Sequence, residues 1–252
     1  MKNEKTEKPM TPLKRFFDKA FFVFYVVALI AAVCFSSFVW FQKTYFATYW
    51  VNGQSMWPTL NSETKTAQGI PFNESSKSMN GATGVDYIIG DGHSYILDKL
   101  QRFDIIVCKY NDSDSFDKIK RVIVLPGETF YIDSTSKHDE GNGVLHILNE
   151  ETGFFDVIEQ PIDQDILRSG DYKAEHANFN FNVPMTLKEN EYFVMGDNRG
   201  HSSDSRQQDH PITRANIEAK AIALVGRCKT IIPAGETSLQ PVEVNYMWPR
   251  FF

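Results

Sequence analysis

The sequence predicts a mostly β protein, in which one N-terminal transmembrane helix precedes an all-β domain carrying an inserted β-rich subdomain. Three observations lead there. The 22 residues from Ala20 to Phe41 pass without a charge. The rest of the chain is punctuated by short β-branched and aromatic runs bounded by Gly, Pro, Asn and Asp. Beyond the apolar run, only Thr213 to Lys220 reads as a helical turn or two. At 252 residues the chain is long enough for one large domain or two small ones, with a sizeable core.

The helix comes first. As an α-helix, Ala20 to Phe41 spans roughly 33 Å, enough for a hydrocarbon core of about 30 Å. Residues 1–19 carry Lys2, Lys5, Lys8, Lys14, Arg15 and Lys19 against Glu4, Glu7 and Asp18, a net of +3. The positive-inside rule keeps such a tail in the cytoplasm and sends everything after Lys43 to the outer side of the cell membrane. A cleaved signal peptide fits less well. The run exceeds the ~7–15 residues of a signal h-region, and it ends in Phe-Val-Trp-Phe rather than a small-x-small site. The expected organisation is a cytoplasmic tail at 1–19, a single-pass signal anchor at 20–41 and an extracytoplasmic domain at 44–252.

The strands follow in order. Tyr49 to Val51 leads into Asn-Gly, and Phe103 to Tyr110 (FDIIVCKY) is a β-branched run. Ile119 to Val124 ends at Leu-Pro-Gly and Thr129 to Ile132 resumes. Tyr192 to Met195 ends at Gly-Asp-Asn-Arg, and Ala221 to Val225 stops at Gly226. Two stretches interrupt them. Residues 61–92 are rich in Ser, Asn, Gly and Lys and read as a surface insertion. Residues 133–187 mix polar residues with short apolar pieces and read as an inserted subdomain.

Charge and cysteine content narrow the function. Residues 44–252 keep 19 of the 26 Lys+Arg and 29 of the 32 Asp+Glu, a net of −10, which argues against nucleic-acid or charge-driven lipid binding. Cys34 sits in the apolar run. Cys108 and Cys228 are read as two buried free thiols, with pairing left open because sequence does not set their separation. No Cys/His spacing suggests zinc, and neither a metal nor a cofactor is expected.

Three segments hold residues suited to chemistry. In Val51-Asn-Gly-Gln-Ser-Met-Trp-Pro-Thr-Leu60, Ser55 follows Gly53 in a turn and precedes Pro58, a bend able to expose both its hydroxyl and its N–H. Taken alone, a serine there is ordinarily a turn residue. In Asp117 to Glu128, strand alternation puts Lys118 and Lys120 on one face and Ile119 and Arg121 on the other. A lysine buried among Val and Ile loses charge and becomes a competent base, whereas an exposed one merely lays its stem along the sheet. Gly196-Asp-Asn-Arg-Gly-His-Ser-Ser-Asp-Ser-Arg206 concentrates turn formers, acids and arginines in a loop suited to orienting another group, or to facing solvent.

Taken together and in this order behind an anchor, Gly-x-Ser-Met-x-Pro-Thr, Lys-Arg-Val followed by Leu-Pro-Gly, and Gly-Asp-Asn-Arg-x-x-Ser-x-Asp-Ser-Arg resemble the type I signal peptidase family in its single-anchor form. A weaker match, Arg102-Phe-Asp-Ile-Ile-Val, stands where that family has Arg-Gly-Asp. The resemblance implies a serine endopeptidase with Ser55 as nucleophile and Lys120 as general base. Ser202 would hold the lysine amine, Asp204 and Arg206 would form a supporting ion pair, and Gly196 and Asn198 would belong to the same supporting loop. Gly53, Gln54, Met56 and Pro58 would frame the substrate and oxyanion region, with the Ser55 N–H as one oxyanion donor and the second left open at Gly53. Departures from the family are Val124 for a glycine, Glu128 for an aspartate and Phe103 for a glycine.

The resemblance further implies secretory precursors as partners, cut at small-x-small (Ala-x-Ala) sites. Ser55 follows Phe41 by 14 residues, which keeps the chemistry near the membrane lipids. Trp40, Phe41, Tyr45, Phe46, Tyr49, Trp50 and Trp57 suit an interfacial belt. The tail Tyr246 to Phe252 either joins that surface or packs as a last strand. Three rivals remain. One is a triad using His93, His138, His146, His176, His201 or His210; another is a non-catalytic peptide-binding or secretion-complex β-domain. The third, a self-cleaving repressor, needs a DNA-binding region where this chain has an anchor.

Overall fold

The computed structural model describes residues 11–71, 78–111, 116–135, 139–172, 181–207 and 211–252. Residues 1–10 of the expected cytoplasmic tail, and His138, His176 and His210, lie outside the described residues. Two compact units meet between Tyr45 and Phe46.

The first unit is α1 (Pro12–Tyr45), with proline at the first helical position, where its missing N–H costs nothing. Within it Lys19–Phe41 has a mean hydropathy of 2.5 over 23 residues, long and apolar enough to cross a membrane. Phe21, Phe22, Phe24, Val27, Ile30 and Phe35 are all exposed, so the helix is apolar around its whole girth rather than along one stripe.

The second unit is mostly β. Its main sheet contains β1 (Phe46–Trp50), β2 (Val85–Asp91), β3 (Ile105–Cys108) and β4 (Lys118–Val124). A second sheet takes β5 (Thr129–Ile132), β6 (Leu145–Leu148), β7 (Phe155–Ile158) and β8 (Met185–Thr186). The chain then returns to the main sheet through β9 (Glu191–Met195), β10 (Ile212–Thr213), β11 (Ile217–Ile231) and β12 (Gln240–Phe251). The main sheet runs β1-β2-β11-β3-β4-β9-β10, with β12 paired to β11; the smaller runs β7-β6-β5-β8. Neighbouring strands pair antiparallel throughout the described residues. The small sheet is held by Phe130, Ile132, Leu145 and Phe181, which continue into Phe193 and Met195 of β9.

The structure corrects the sequence reading in three places. Residues 61–92 are not simply a surface insertion. Val85–Asp91 forms β2 between β1 and β11, while Asn61, Thr64, Thr66 and Ala82 are buried. The polar residues turn inward because they satisfy backbone groups; Thr64 Oγ1, for example, donates to Gly84 O at 2.9 Å. The helical turn expected over Thr213 to Lys220 is a 3-10 turn at Arg214–Asn216, and Ile217 already opens β11. That strand does not stop at Gly226 but continues to Ile231. The β-rich domain also carries two single helical turns, α2 (Ser94–Leu97) and α3 (Gln164–Arg168). Cys108 and Cys228 are both buried and are not joined to each other by a disulfide.

Candidate active site

The candidate site begins where β1 ends. Gly53 has φ +98, a conformation glycine adopts without strain, and it turns the chain into a tight bend. Trp57 N donates to Gln54 O and Leu60 N to Met56 O, both at 2.9 Å, so residues 54–60 wind into a helical turn around Ser55. Met56 and Leu60 anchor it in a buried cluster with Val51, Ile88, Ile105, Ala221 and Leu224. Ser55 itself is half-buried beside the buried Met56. From beneath, Asn61 donates its side-chain amide to the carbonyls of Val51 and Gly53.

Lys120 comes from β4, which pairs with β3 from Ile105↔Arg121 to Cys108↔Lys118. Its Nζ lies 3.1 Å from Ser55 Oγ and donates to the Ile119 carbonyl at 3.0 Å. The residue is buried, and loss of hydration is the largest influence on its amine, pushing its pKa below the ordinary lysine value. The charges of Lys118 and Arg206 push the same way, against Asp204 and Cys108. Arg121, next along the strand, points to the other face. There it forms a two-pronged ion pair with Asp197, Nε to Oδ1 at 2.7 Å and Nη2 to Oδ2 at 2.6 Å. Thr59 Oγ1 donates to the same Oδ2 at 2.6 Å. One ion pair therefore ties β4, the loop after β9 and the serine turn together.

The 196–206 loop closes the site. Asn198 N donates to Ser55 O at 3.0 Å and Asn198 Nδ2 to Gln54 O at 3.2 Å. A Cβ on Gly196 would collide with Ser55 O and Ser202 Oγ, so no larger residue fits. Asp204 and Arg206 are fully buried and paired, Nε to Oδ1 at 2.8 Å and Nη2 to Oδ2 at 2.9 Å. Burial alone would raise the Asp204 pKa. The Arg206 guanidinium and the Gly196 N–H, which donates to Oδ2 at 2.9 Å, overcome it and hold the carboxyl below its usual range. The hydrogen bond expected from Ser202 to Lys120 is not formed. The Ser202 hydroxyl lies near enough to Asp204 to favour its charge, without a well-aligned bond to any group. Buried Arg199, which sequence reasoning passed over, donates from Nε to Gly196 O at 3.1 Å and from Nη1 to Tyr172 OH at 3.2 Å.

The family departures also find places. Phe103 adopts φ +73, the left-handed conformation that a glycine supplies without strain, and is held there by its N–H to Val122 O and by Arg121 Nη1 on its carbonyl. Glu128 accepts from Leu125 N at 2.8 Å and from Arg102 Nη2, closing the Leu-Pro-Gly turn. Among the described histidines, His93 pairs with Asp91 and His146 with Asp133, while His201 is exposed, and none bonds Ser55. No group of three His, Cys, Asp or Glu is placed to hold a metal ion among the described residues.

A cavity of about 530 Å³ opens beside the turn, lined among others by Tyr49, Trp50, Asn52, Lys118, Ile119 and Leu239. Two strand edges lie nearby. Among the described residues, β1 pairs with β2 alone. On β4, pairing with β9 begins at Arg121, so Lys118 to Lys120 have a neighbour only on the β3 side among the described residues. Unpaired backbone next to an apolar groove is a platform for adding an extended peptide as a strand.

Comparison with known proteins is consistent across the chain. Residues 19–225 match the family model described as signal peptidase, peptidase S26. The chain is 28% identical over 185 residues to signal peptidase I S of Bacillus subtilis (strain 168), covering 72% of this chain and 74% of that protein. It is 29% identical over 200 residues to signal peptidase I of Aquifex aeolicus, covering 64% and 74%. A solved signal peptidase I from Enterococcus faecalis aligns at 26% identity over 48% of this chain and 96% of that one, with a TM-score of 0.34.

Proposed function

Because the chain belongs to the signal peptidase family, peptidase S26, we propose that it is a membrane-anchored serine endopeptidase working through a Ser55–Lys120 dyad on secretory precursors. The observation that supports this most is the 3.1 Å approach of Lys120 Nζ to Ser55 Oγ, together with a burial that favours the neutral amine. A neutral amine is what a general base requires. Lys120 takes the Ser55 proton as Oγ attacks the scissile carbonyl, with the Ser55 N–H on the developing oxyanion. Lys120 then passes that proton to the departing amine, which leaves as the new N-terminus of the mature protein. Water, deprotonated by Lys120, attacks the ester, and Lys120 returns that proton to the departing Ser55 Oγ, which frees the signal fragment with a new C-terminal carboxyl group.

The precursor lies as an extended strand in the cavity beside β1 and β4, and small residues precede the cut. The anchor spans the membrane with the N-terminus inside and the domain outside. Exposed aromatics on the last strand, with Tyr246 at 75%, Trp248 at 92% and Phe251 at 74% exposure, join the lipid-facing belt. Asp204–Arg206, Gly196 and Asn198 hold the lysine and serine in register.

The test uses the purified full chain in lipid and a precursor with an Ala-x-Ala site, with cleavage read by mass spectrometry. Wild type is expected to cut after the second alanine, and Ser55→Ala and Lys120→Ala, both folded, to be silent. Cleavage that persists in Lys120→Ala removes the dyad; binding without cleavage favours a peptide-binding domain. The sign of the pH dependence follows from the depressed lysine. Its neutral fraction rises as pH rises through the folded pKa, so activity is lost in acid. A rate that stays flat down to about pH 5 counts against a lysine base.

A further inference from the structure

The polar stretch after the serine turn begins with Asn61, and everything about that residue faces inward. It is 1% exposed and adopts φ 62, a left-handed conformation that asparagine tolerates better than most residues. Its side-chain amide has two donor hydrogens and one acceptor oxygen. Nδ2 donates to Val51 O at 2.8 Å and to Gly53 O at 2.7 Å, while Oδ1 accepts from Asp86 N at 2.9 Å. The backbone N–H of Asn61 donates to Asp86 Oδ2 at 2.7 Å. Asp86 is itself fixed. It is buried in β2, its carbonyl accepts from Val51 N at 2.9 Å, and its Oδ1 accepts from Arg227 Nε at 3.2 Å. Arg227 Nη1 in turn reaches Glu63 Oε2 at 2.6 Å.

We infer that Asn61 is a positioning residue for the nucleophile, with Asp86 as its anchor on the sheet. Val51 and Gly53 bracket Asn52, which lines the cavity, and Gly53 sits two residues before Ser55. Gripping both carbonyls sets the two peptide planes that lead into the serine turn. Leu60 closes the other end of that turn through its N–H to Met56 O, one residue before Asn61. Asn61 therefore holds the entrance of the turn from its exit. A free turn at Gly53 would let Ser55 drift from Lys120, and a displacement of about 1 Å at a reacting atom can cost around 10²-fold in rate. The inference rests on the Ser55–Lys120 reading for its kinetic consequence, but not for its structural one.

Two variants separate the side chain from the backbone. Asn61→Gly keeps the left-handed conformation and removes the three side-chain bonds. Asn61→Asp keeps size and conformation but sets a carboxylate against two carbonyls and the Asp86 carboxylate. In the full chain in lipid, Asn61→Gly is expected to lower kcat on the Ala-x-Ala precursor by roughly 10- to 100-fold, and Asn61→Asp by more. The acid limb of the pH profile stays in place, because Lys120 is untouched. Amide hydrogen exchange of residues 51–56 rises in both variants, while β5 and β6 keep wild-type protection. The exchange measurement decides the anchoring whether or not the precursor is a substrate. If wild type does not cut but the variants loosen residues 51–56, the peptidase reading falls and the grip stands. Unchanged exchange at 51–56, or a kcat within twofold of wild type in folded Asn61→Gly, overturns the inference.

Discussion

The two faces of β4 solve the same problem in opposite ways. Lys120 and Arg121 are adjacent, both buried, and both carry a cationic group in water. On one face the cation is matched by Asp197 with two short bonds, and Thr59 and Phe103 O take up the remaining hydrogen-bonding capacity. On the other face Lys120 meets a serine hydroxyl and a carbonyl and, among the described residues, has no carboxylate within ion-pair distance, so loss of hydration dominates and favours the uncharged amine. Burial by itself therefore decides nothing: a buried cation with a carboxylate at 2.6–2.7 Å is a structural clamp, and one without is pushed toward the neutral amine that the proposed general base requires.

The largest effect is expected from Lys120→Arg. A guanidinium stays protonated at any working pH, so it supplies no base, and it needs a partner that this face lacks. Cleavage is expected to fall by at least about 10²–10⁴-fold, the span ascribed to a general base, with lower thermal stability. Lys120→Met should be equally inactive but more stable than wild type. The sign follows from linkage: a folded pKa below the unfolded one means the unfolded chain binds more protons between the two values, so wild-type stability rises with pH across that window. The stabilisation by Met is therefore largest on the acid side of the window and fades as pH nears the ordinary lysine value of about 10.4. Denaturant melts of wild type and Lys120→Met across that range measure it; a gain that does not shrink with rising pH would mean the amine is charged in the folded protein.

On the paired face the expected loss is in stability first. Asp197→Ala leaves the Arg121 guanidinium buried without its carboxylate and should cost about 3–5 kcal/mol, read from the denaturant midpoint. A cost below about 1 kcal/mol would mean that Arg121 reaches water and the clamp is superficial.

How much of this was legible beforehand depends on distance along the chain. The anchor, the strand containing Lys120 and the order of the three motifs could be read because each is a local pattern. Alternation along β4 correctly sent Lys120 and Arg121 to opposite faces. It had no means of finding Asp197, 76 residues away, or of giving Asn61 its partner Asp86, 25 residues on. Composition misled where polar residues serve the interior. Asn61 and Thr64 look like surface residues and are buried because their side chains replace missing backbone partners. The expected Ser202 bond to Lys120 failed for a related reason. A motif names the residues of a loop, but the rotamer is set by what surrounds it, here Gly196 and Asp204.

Thr59 offers the smallest and most discriminating change. Its hydroxyl donates to Asp197 Oδ2 at 2.6 Å, and Arg121 Nη2 lies 3.4 Å from the same hydroxyl. Valine keeps the shape and deletes only these contacts. A hydrogen bond to a charged group contributes about 1.5–3 kcal/mol, and because Thr59 is only half-buried the low end, about 1.5 kcal/mol, is expected in the denaturant midpoint. The cycle with Asp197→Asn tells whether Thr59 belongs to the clamp. If it does, the two losses are not additive, since Thr59→Val adds little once Asp197 can no longer anchor the pair. Thr59 lies four positions after Ser55, so kcat should also fall, by less than in Asn61→Gly, because Thr59 holds the far end of the turn and Asn61 the near one. Additive losses with unchanged kcat would detach the clamp from the serine turn, leaving the two faces of β4 independent of each other.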